Sequence, residues 1–237
     1  MIVDNILRGF VETVAFFAGT IAISGRENIP PKGPYIVVVN HMSKADPPLM
    51  LITLPKVKIR FFAGEKWQRH IIFSPLLQWG GAIYINRGEV DRKALREALN
   101  ALKNDSIFGL APEGTRSRIG ALIKARDGAA YLATRAKVPL LPIGISNTDI
   151  LGYNMAHLKR TNLEIHIGKP FLLPDLDRRP RGSELAAYTH LIMVHIAALL
   201  PRRHWGYYAD SPALAAILDG ENPWPFCLDA EGVTEEV

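Results

Sequence analysis

His41 and Asp46 stand five residues apart in the segment VVNHMSKADPP, where an apolar run stops and a proline-marked helix begins. An imidazole supported by a carboxylate can act as a general base, the carboxylate fixing which ring nitrogen keeps its proton. Spacing alone does not bring the two together. Across five helical steps Asp46 would point about 140° away from His41, and across five extended steps it would lie about 16 Å off. A hydrogen bond between them therefore requires Met42, Ser43, Lys44 and Ala45 to turn back. A plainer reading stands beside this one: Asp46 before Pro47 suits a helix N-cap, and Ser43 with Asp46 three residues later resembles a capping box.

Two further apolar runs deliver polar groups. Ala82–Ile85 leads into Asn86 and Arg87, and Ile107–Ala111 leads into PEGTRSR, from Pro112 to Arg118. In open parallel sheets ligands bind beyond the carboxyl ends of the strands, so these groups are expected to converge on Asn40 and His41. Arginines grip phosphates, and backbone N–H groups near Gly114 can receive an oxyanion. The chain has no G-x-S-x-G nucleophile, Walker loop or G-x-G-x-x-G, which argues against hydrolase, nucleotide-phosphate and dinucleotide chemistry. A metal-dependent phosphoesterase with His41 and Asp46 as ligands lacks a third and fourth ligand, so no metal is expected.

The elements that must position these residues are legible as alternating strands and helices. Tyr35–Val39 is a continuous apolar run, the pattern of a strand buried on both faces. A helix is expected after Asp46, a strand over Val57–Phe62, a helix over Val90–Lys103 with Leu95, Leu99 and Leu102 on one side, and a helix over Ala125–Lys137. Val138–Ile145 reads as a strand whose Pro139 and Pro142 suggest an edge or a bent end. Leu163, Ile165 and Ile167 alternate with polar residues, another strand, and Ser183 can cap a helix through Leu200. The fold class is therefore α/β, a single domain with a largely parallel sheet flanked by helices. Ahead of it, Val3, Leu7, Phe10, Val14, Phe17 and Ile21 form one stripe, predicting an amphipathic helix over residues 1–24 that suits either core packing or a membrane interface.

The chain has 237 residues, 48% hydrophobic and 22% charged, an ordinary globular composition. Its net charge of +5 and pI near 9.3 suit anionic lipid headgroups, phosphorylated small molecules or nucleic acid. Lys56, Lys58, Arg60, Lys66 and Arg69 interleave with Phe61, Phe62, Trp67 and Phe73, a mixture suited to a membrane-facing or ligand-facing surface. No nucleic-acid recognition module accompanies them, and a nucleic-acid partner is not expected. Cys227 is the single cysteine, which excludes an internal disulfide and a multi-cysteine metal site. No run approaches the roughly 18 to 20 apolar residues of a membrane span, and Asp4 and Glu12 disfavour a signal peptide. From Leu228 onward the tail holds four acids and no base, and is expected to be disordered.

Taken together, these segments resemble the glycerolipid acyltransferases typified by lysophosphatidic acid acyltransferase. The resemblance covers roughly residues 25–170, in four blocks in the family's order. GRENIPPKGP followed by VVNHMSKAD is similar to the first block, whose catalytic histidine and aspartate match His41 and Asp46. GGAIYINR is similar to the second, whose phosphate-binding arginine matches Arg87. APEGTRSR is similar to the third, which binds the acceptor's glycerol phosphate, implying that role for Glu113, Gly114, Thr115 and Arg116. VPLLPIGI is similar to the fourth, associated with the acyl donor and the catalytic core, through Pro142. Two departures are Ala111, where the family usually carries an aromatic residue, and the N-terminus, with one amphipathic helix where many members have longer membrane-associated segments.

The resemblance implies acyl transfer from an acyl thioester to a lysophospholipid hydroxyl, most simply lysophosphatidic acid giving phosphatidic acid. No cofactor is implied, since acyl-CoA or acyl carrier protein enters as substrate. The implied partners are the lysophospholipid acceptor, the thioester donor and a membrane surface, with the protein peripheral or monotopic on the cytoplasmic side. It divides the chain into an interfacial helix over 1–24, an acyltransferase domain over 25–205 and a C-terminal extension over 206–237. Alternatives are the same fold acylating glycerol 3-phosphate, another lysolipid, a glycolipid or an aminolipid, or a catalytically idle lipid-binding protein.

Overall fold

The structure, a computed structural model, describes residues 2–55, 59–71, 73–85, 91–176 and 178–230. Arg87, Lys56 to Lys58, Val90 and the acidic end after Ala230 lie outside the described residues, as do the side chains of Val3, Leu7 and Phe73. In chain order the main elements are α1 (Ile2–Ala18), β1 (Gly19–Ser24), β2 (Tyr35–Val39), α2 (Asp46–Thr53), β3 (Ile59–Gly64), α3 (Phe73–Trp79), β4 (Ala82–Ile85), α4 (Arg92–Lys103) and β5 (Ile107–Leu110). They continue with α5 (Gly128–Ala136), β6 (Leu140–Ser146), α6 (Leu151–Ala156), β7 (Thr161–Ile167), α7 (Gly182–Ala197), α8 (Pro212–Leu218) and α9 (Trp224–Ala230).

Strand β2 divides the interior, because successive side chains of a strand point to opposite faces. Ile36 and Val38 enter a cluster with Phe108, Leu140 and Met193, while Tyr35 and Val37 enter another with Leu141, Ile143 and Ile165. Helices α4, α5, α7, α8 and α9 cover the first face, and α1 and α2 the second. The sheet order is β1-β7-β6-β2-β5-β3-β4. All pairings are parallel except β6 with β7, so the largely parallel α/β architecture expected from the sequence is present.

Several expectations are corrected. The first helix stops at Ala18, and residues 19–24 form strand β1 against β7. A Cβ on Gly19 would fall 1.7 Å from the Thr161 carbonyl oxygen, so glycine alone permits the close approach that starts this pairing. Ile21 therefore belongs to the sheet, whereas Phe10, Val14 and Phe17 of the same sequence stripe remain on the helix with exposed side chains. The face of α1 that packs inward carries the small residues Ala15 and Ala18.

Strand β6 is central, not an edge, and each of its residues is buried. Pro142 is tolerated there because its side of the backbone faces the point where β7 ends: its carbonyl accepts the Gly168 N–H at 2.9 Å, and the regular β7 ladder begins only at Ile143. Helix α7 begins at Gly182 with Arg181, not Ser183, at the N-cap position, where the Glu184 carboxylate accepts the Arg181 N–H at 2.6 Å. Residues 206–230 are no appendage: Tyr208, Ala213, Leu214 and Cys227 are buried in the first core. Leu228 to Ala230, expected to be disordered, complete α9.

Because β1 and β7 run opposite to the other five strands, the amino end of β1 lies at the carboxyl end of β6 and its neighbours. Helix α1 consequently delivers Phe16 and Phe17 to the end of the sheet where His41 sits. Arg160 fixes this arrival, donating to the carbonyls of Phe16 at 3.0 Å and Gly19 at 2.8 Å, where a helix C-terminus leaves acceptors unpaired.

On α7, His195 stacks on Phe171 with ring centroids 3.8 Å apart, and burial pushes its imidazole down to about 4. The unfolded chain binds a proton there near pH 6.5 that the folded one refuses, so this site's contribution is complete above pH 6.5 and is lost as pH falls through 4. Thermal melts of the wild type and His195→Leu from pH 7 to pH 4 should show the wild type losing more stability toward acid. Parallel losses would mean that another group governs that range.

Candidate active site

The chain between β2 and α2 makes the turn that a bond between His41 and Asp46 demands. Asp46 Oδ2 accepts from His41 Nδ1 at 2.8 Å and from the backbone N–H groups of Met42 and Ser43, each at 2.7 Å. The N-cap reading of Asp46 gives way to this arrangement: Asp46 is the first residue of α2, and its carboxylate points back to the loop. Three donors on one buried oxygen specify a closed turn, and hydrogen bonds to a carboxylate are roughly twice as strong as neutral ones. With Nδ1–H donating to Asp46, Nε2 is the free nitrogen of the ring, and the His41 side chain is 20% exposed against 3% for Asp46.

The backbone that carries His41 is fixed on both sides. Asn40, fully buried, pairs its side-chain amide with Ile145, donating to the carbonyl at 2.8 Å and accepting from the N–H at 2.7 Å. This ties the end of β2 to β6. Glu113, 1% exposed, accepts the His41 N–H on one carboxylate oxygen at 2.9 Å and the Ile123 N–H on the other at 3.1 Å. Burial pushes the Glu113 carboxyl up to about 7, against the pull of those two amide bonds. The His41 carbonyl in turn accepts the Ser117 N–H at 2.8 Å. Glu113 thus reaches the site through the backbone of the loops, with both oxygens engaged.

Gly114 turns the chain after Glu113 with φ of 68°, a conformation favouring glycine, and a Cβ there would meet Arg126 Cδ at 3.0 Å. Thr115 is exposed, and Arg116 is half-buried with no hydrogen bond or ion pair among the described residues. Of the residues expected to converge, His41, Asp46, Glu113 and Gly114 to Arg116 occupy adjoining loops at the carboxyl ends of β2 and β5. The expected place of Arg87 lies outside the described residues. Among the described residues there is no cluster of three or more His, Cys, Asp or Glu side chains able to hold a metal ion. A cleft of about 450 Å³ opens beside β7, lined in part by Asn147, Asn154, Arg160, Asn162 and Arg203, and does not include His41.

Sequence reasoning missed the brace behind this loop. The Leu122 N–H donates to the His204 carbonyl at 2.8 Å, the Tyr207 N–H to the Leu122 carbonyl at 2.9 Å, and the Ala125 N–H to the Tyr208 hydroxyl at 3.1 Å. Gly206 lies so close that a Cβ would stand 2.1 Å from the Leu122 oxygen. The signal was the dense HWGYY run from His204 to Tyr208, of which His204 and Tyr208 are buried and His204, Trp205 and Tyr208 each find a partner for the polar end, while Tyr207 stays exposed.

An α/β sheet presenting a carboxylate-held histidine and a PEGTR loop beyond the ends of neighbouring strands defines a class, and comparison with known proteins identifies it. Residues 20–146 match the family described as Acyltransferase, more than half of the chain, and the protein belongs to that family. It is 27% identical over 146 residues to 1-acyl-sn-glycerol-3-phosphate acyltransferase of Borreliella burgdorferi, covering 60% of this chain and 58% of that one. It is 31% identical over 149 residues to the human 1-acyl-sn-glycerol-3-phosphate acyltransferase alpha, covering 60% and 52%. The chain thus spans a little over half the length of these relatives. The crystal structure of the 1-acyl-sn-glycerophosphate (LPA) acyltransferase PlsC from Thermotoga maritima superposes with a TM-score of 0.63 at 27% identity, covering 79% of this chain and 75% of that one.

Glu113 offers a test of the brace. Glu113→Gln keeps one acceptor but turns an N–H donor toward one of the two amides, so the His41 backbone should shift; displacements of about 1 Å at a reacting centre can cost about 10²-fold in rate. A folded variant, checked by circular dichroism, should lose turnover to that extent. Unchanged turnover in a folded Glu113→Gln protein would show that the carboxylate does not hold His41 in place.

Proposed function

We propose that this protein is a lysophospholipid acyltransferase that moves an acyl group from acyl-CoA or acyl carrier protein to the hydroxyl of lysophosphatidic acid, giving phosphatidic acid. The observation that carries the reading is the 2.8 Å bond from His41 Nδ1 to Asp46, which leaves Nε2 as the ring nitrogen able to take a proton. Family membership and the names of the relatives support the same chemistry.

In the reaction, His41 Nε2 removes the acceptor hydroxyl's proton as the oxygen attacks the thioester carbonyl carbon. The resulting oxyanion needs N–H donors beside His41, and within the PEGT loop these must be groups other than the Gly114 N–H, which donates to the Ala111 carbonyl at 3.0 Å. When the carbon–sulfur bond breaks, the thiolate leaves with the proton from His41, and the enzyme is regenerated. Asp46 holds the imidazole in one tautomer and stabilises its protonated form. Arg116, half-buried and without an ion-pair partner among the described residues, suits the acceptor's phosphate, and Arg87 has the same role by resemblance. Holding acceptor and donor together at one histidine supplies much of the rate, because the encounter is then intramolecular.

Lysophospholipids reside in bilayers, and the protein is assigned to the cytoplasmic face of a membrane as a peripheral or monotopic enzyme. No helix among the described residues is long and apolar enough to cross a membrane. Helix α1 suits interfacial seating instead: Phe10, Phe16 and Phe17 are 65%, 66% and 77% exposed, with no core to enter.

His41→Ala tests the chemistry. Loss of a positioned general base typically costs about 10² to 10⁴ in rate, and the partly exposed imidazole contributes little packing. Purified variant and wild type supplied with lysophosphatidic acid and acyl-CoA, or acyl carrier protein, should differ by that factor in phosphatidic acid formed while melting at similar temperatures. A folded His41→Ala protein that turns over near the wild-type rate would end this reading.

A further inference from the structure

Helix α6 and the residues that follow it connect the carboxyl end of β6 to the amino end of β7, and so lie at the same end of the sheet as His41. The connection is apolar where a surface loop should be polar. Tyr153 is 62% exposed, Met155 47% and Leu158 96%. Leu158 also adopts φ of 55°, immediately after the C-terminal cap of α6, a position where glycine or asparagine is normally found. A leucine there bears two penalties, since its Cβ is strained in the left-handed region and its side chain stands in water. No packing inside the protein offsets either one.

The segment is nonetheless firmly built. Leu151 is buried, the Asn154 side chain donates to Thr161 Oγ1 at 3.1 Å, and the Lys159 N–H donates to the Asn154 carbonyl at 2.8 Å. Tyr153 lies against His157 with centroids 4.1 Å apart and the rings tilted by 30°, presenting an amphipathic aromatic pair of the kind that settles at headgroup level. Other exposed apolar side chains stand at this end of the molecule on separate elements: Phe16 and Phe17 at the end of α1, and Ile119, 72% exposed, on the loop that bonds His41. Exposed cations stand at the same end of the sheet: Arg118 and Lys124 on the loop that carries Ile119, Lys159 on the β6–β7 connection and Lys44 on the loop of His41. Apolar tips on several separate loops, interspersed with cations, match a flat anionic surface. They do not make the continuous groove that a single peptide or helix would need.

We propose that the β6–β7 connection, centred on Tyr153 and Leu158, is a second membrane-contacting element that works with α1 to seat the His41 end of the sheet on an anionic bilayer. This rests on the membrane reading of the proposed function and adds to it a specific contact. Both contacts lie on the β1-β7-β6 side of the catalytic loops, and two separate points of contact restrain the tilt of the enzyme, where a single helix would only tether it. Leu158 inserts its side chain among the acyl chains, Tyr153 sits at the headgroups, and Lys159 meets lipid phosphates.

The test uses the full chain in co-sedimentation with phosphatidylcholine vesicles with and without phosphatidylglycerol. Leu158→Gly should weaken association with the anionic vesicles about tenfold, the scale set by burying one leucine side chain. It should also raise the unfolding temperature, because glycine accepts the left-handed backbone. Leu158→Asn, also tolerant of that backbone, should show the same loss of binding, and adding Tyr153→Ser should deepen it. Turnover of a short-chain, water-soluble acceptor should stay at the wild-type level. If the Leu158 variants bind vesicles like the wild type while Phe16→Ser/Phe17→Ser does not, α1 alone seats the enzyme and this proposal falls. If neither set changes vesicle binding, the membrane reading itself fails. Unchanged vesicle binding with a raised KM for an acyl carrier protein donor would assign the surface to a protein partner instead, and would equally overturn the proposal.

Discussion

The site depends on one buried carboxylate oxygen. Asp46 Oδ2 collects the His41 ring N–H and the amides of Met42 and Ser43, and those three bonds reverse a chain segment that would otherwise separate histidine from aspartate. The same contact folds the loop and orients the imidazole proposed as the base. Removing the carboxylate would leave two amides and an imidazole without their acceptor, so loop shape and chemistry cannot be varied independently. Asp46 Oδ1, buried without a partner among the described residues, shows how completely the group is committed through its other oxygen.

Around that turn the structure stacks supports from distant parts of the chain. Asn40 binds β2 to β6, Glu113 links the histidine loop to the loop after β5, and the segment from His204 to Tyr208 holds that second loop from behind. Each support acts through backbone groups, which leaves side chains such as Thr115 and Arg116 free to face a ligand. Reversal of β1 and β7 has a separate consequence. It brings the end of α1 and the β6–β7 connection to the His41 end of the sheet, so that exposed apolar residues stand beside the histidine loop on the β6 side.

Much of this was legible in the sequence because the central strands are buried on both faces. Tyr35–Val39 and Ile107–Ala111 read as uninterrupted apolar runs, Ala82–Ile85 as a shorter one although β4 is an edge strand with only Ile83 buried, and Leu163, Ile165 and Ile167 as alternation, since β7 exposes its other face. The histidine–aspartate pair and the PEGTR loop were legible as types at a spacing, although their meeting was not. Strand β1 escaped because Ile21 continues a helical stripe, and only the Thr161 backbone against Gly19 decides otherwise. Pro142 misled because its tolerance depends on where β7 ends. The parts of Glu113 and Tyr208 were hidden for a related reason: their partners lie 72 and 83 residues away, beyond any local pattern.

The most direct test of the account is a crystal structure of the enzyme with lysophosphatidic acid bound. The acceptor hydroxyl should lie within hydrogen-bond reach of His41 Nε2, about 2.6 to 3.2 Å, with the His41 Nδ1 to Asp46 bond intact and the phosphate toward Arg116. A hydroxyl placed away from His41 in an ordered complex, or an Asp46 carboxylate turned to another partner, would contradict the claim that this pair performs the proton transfer.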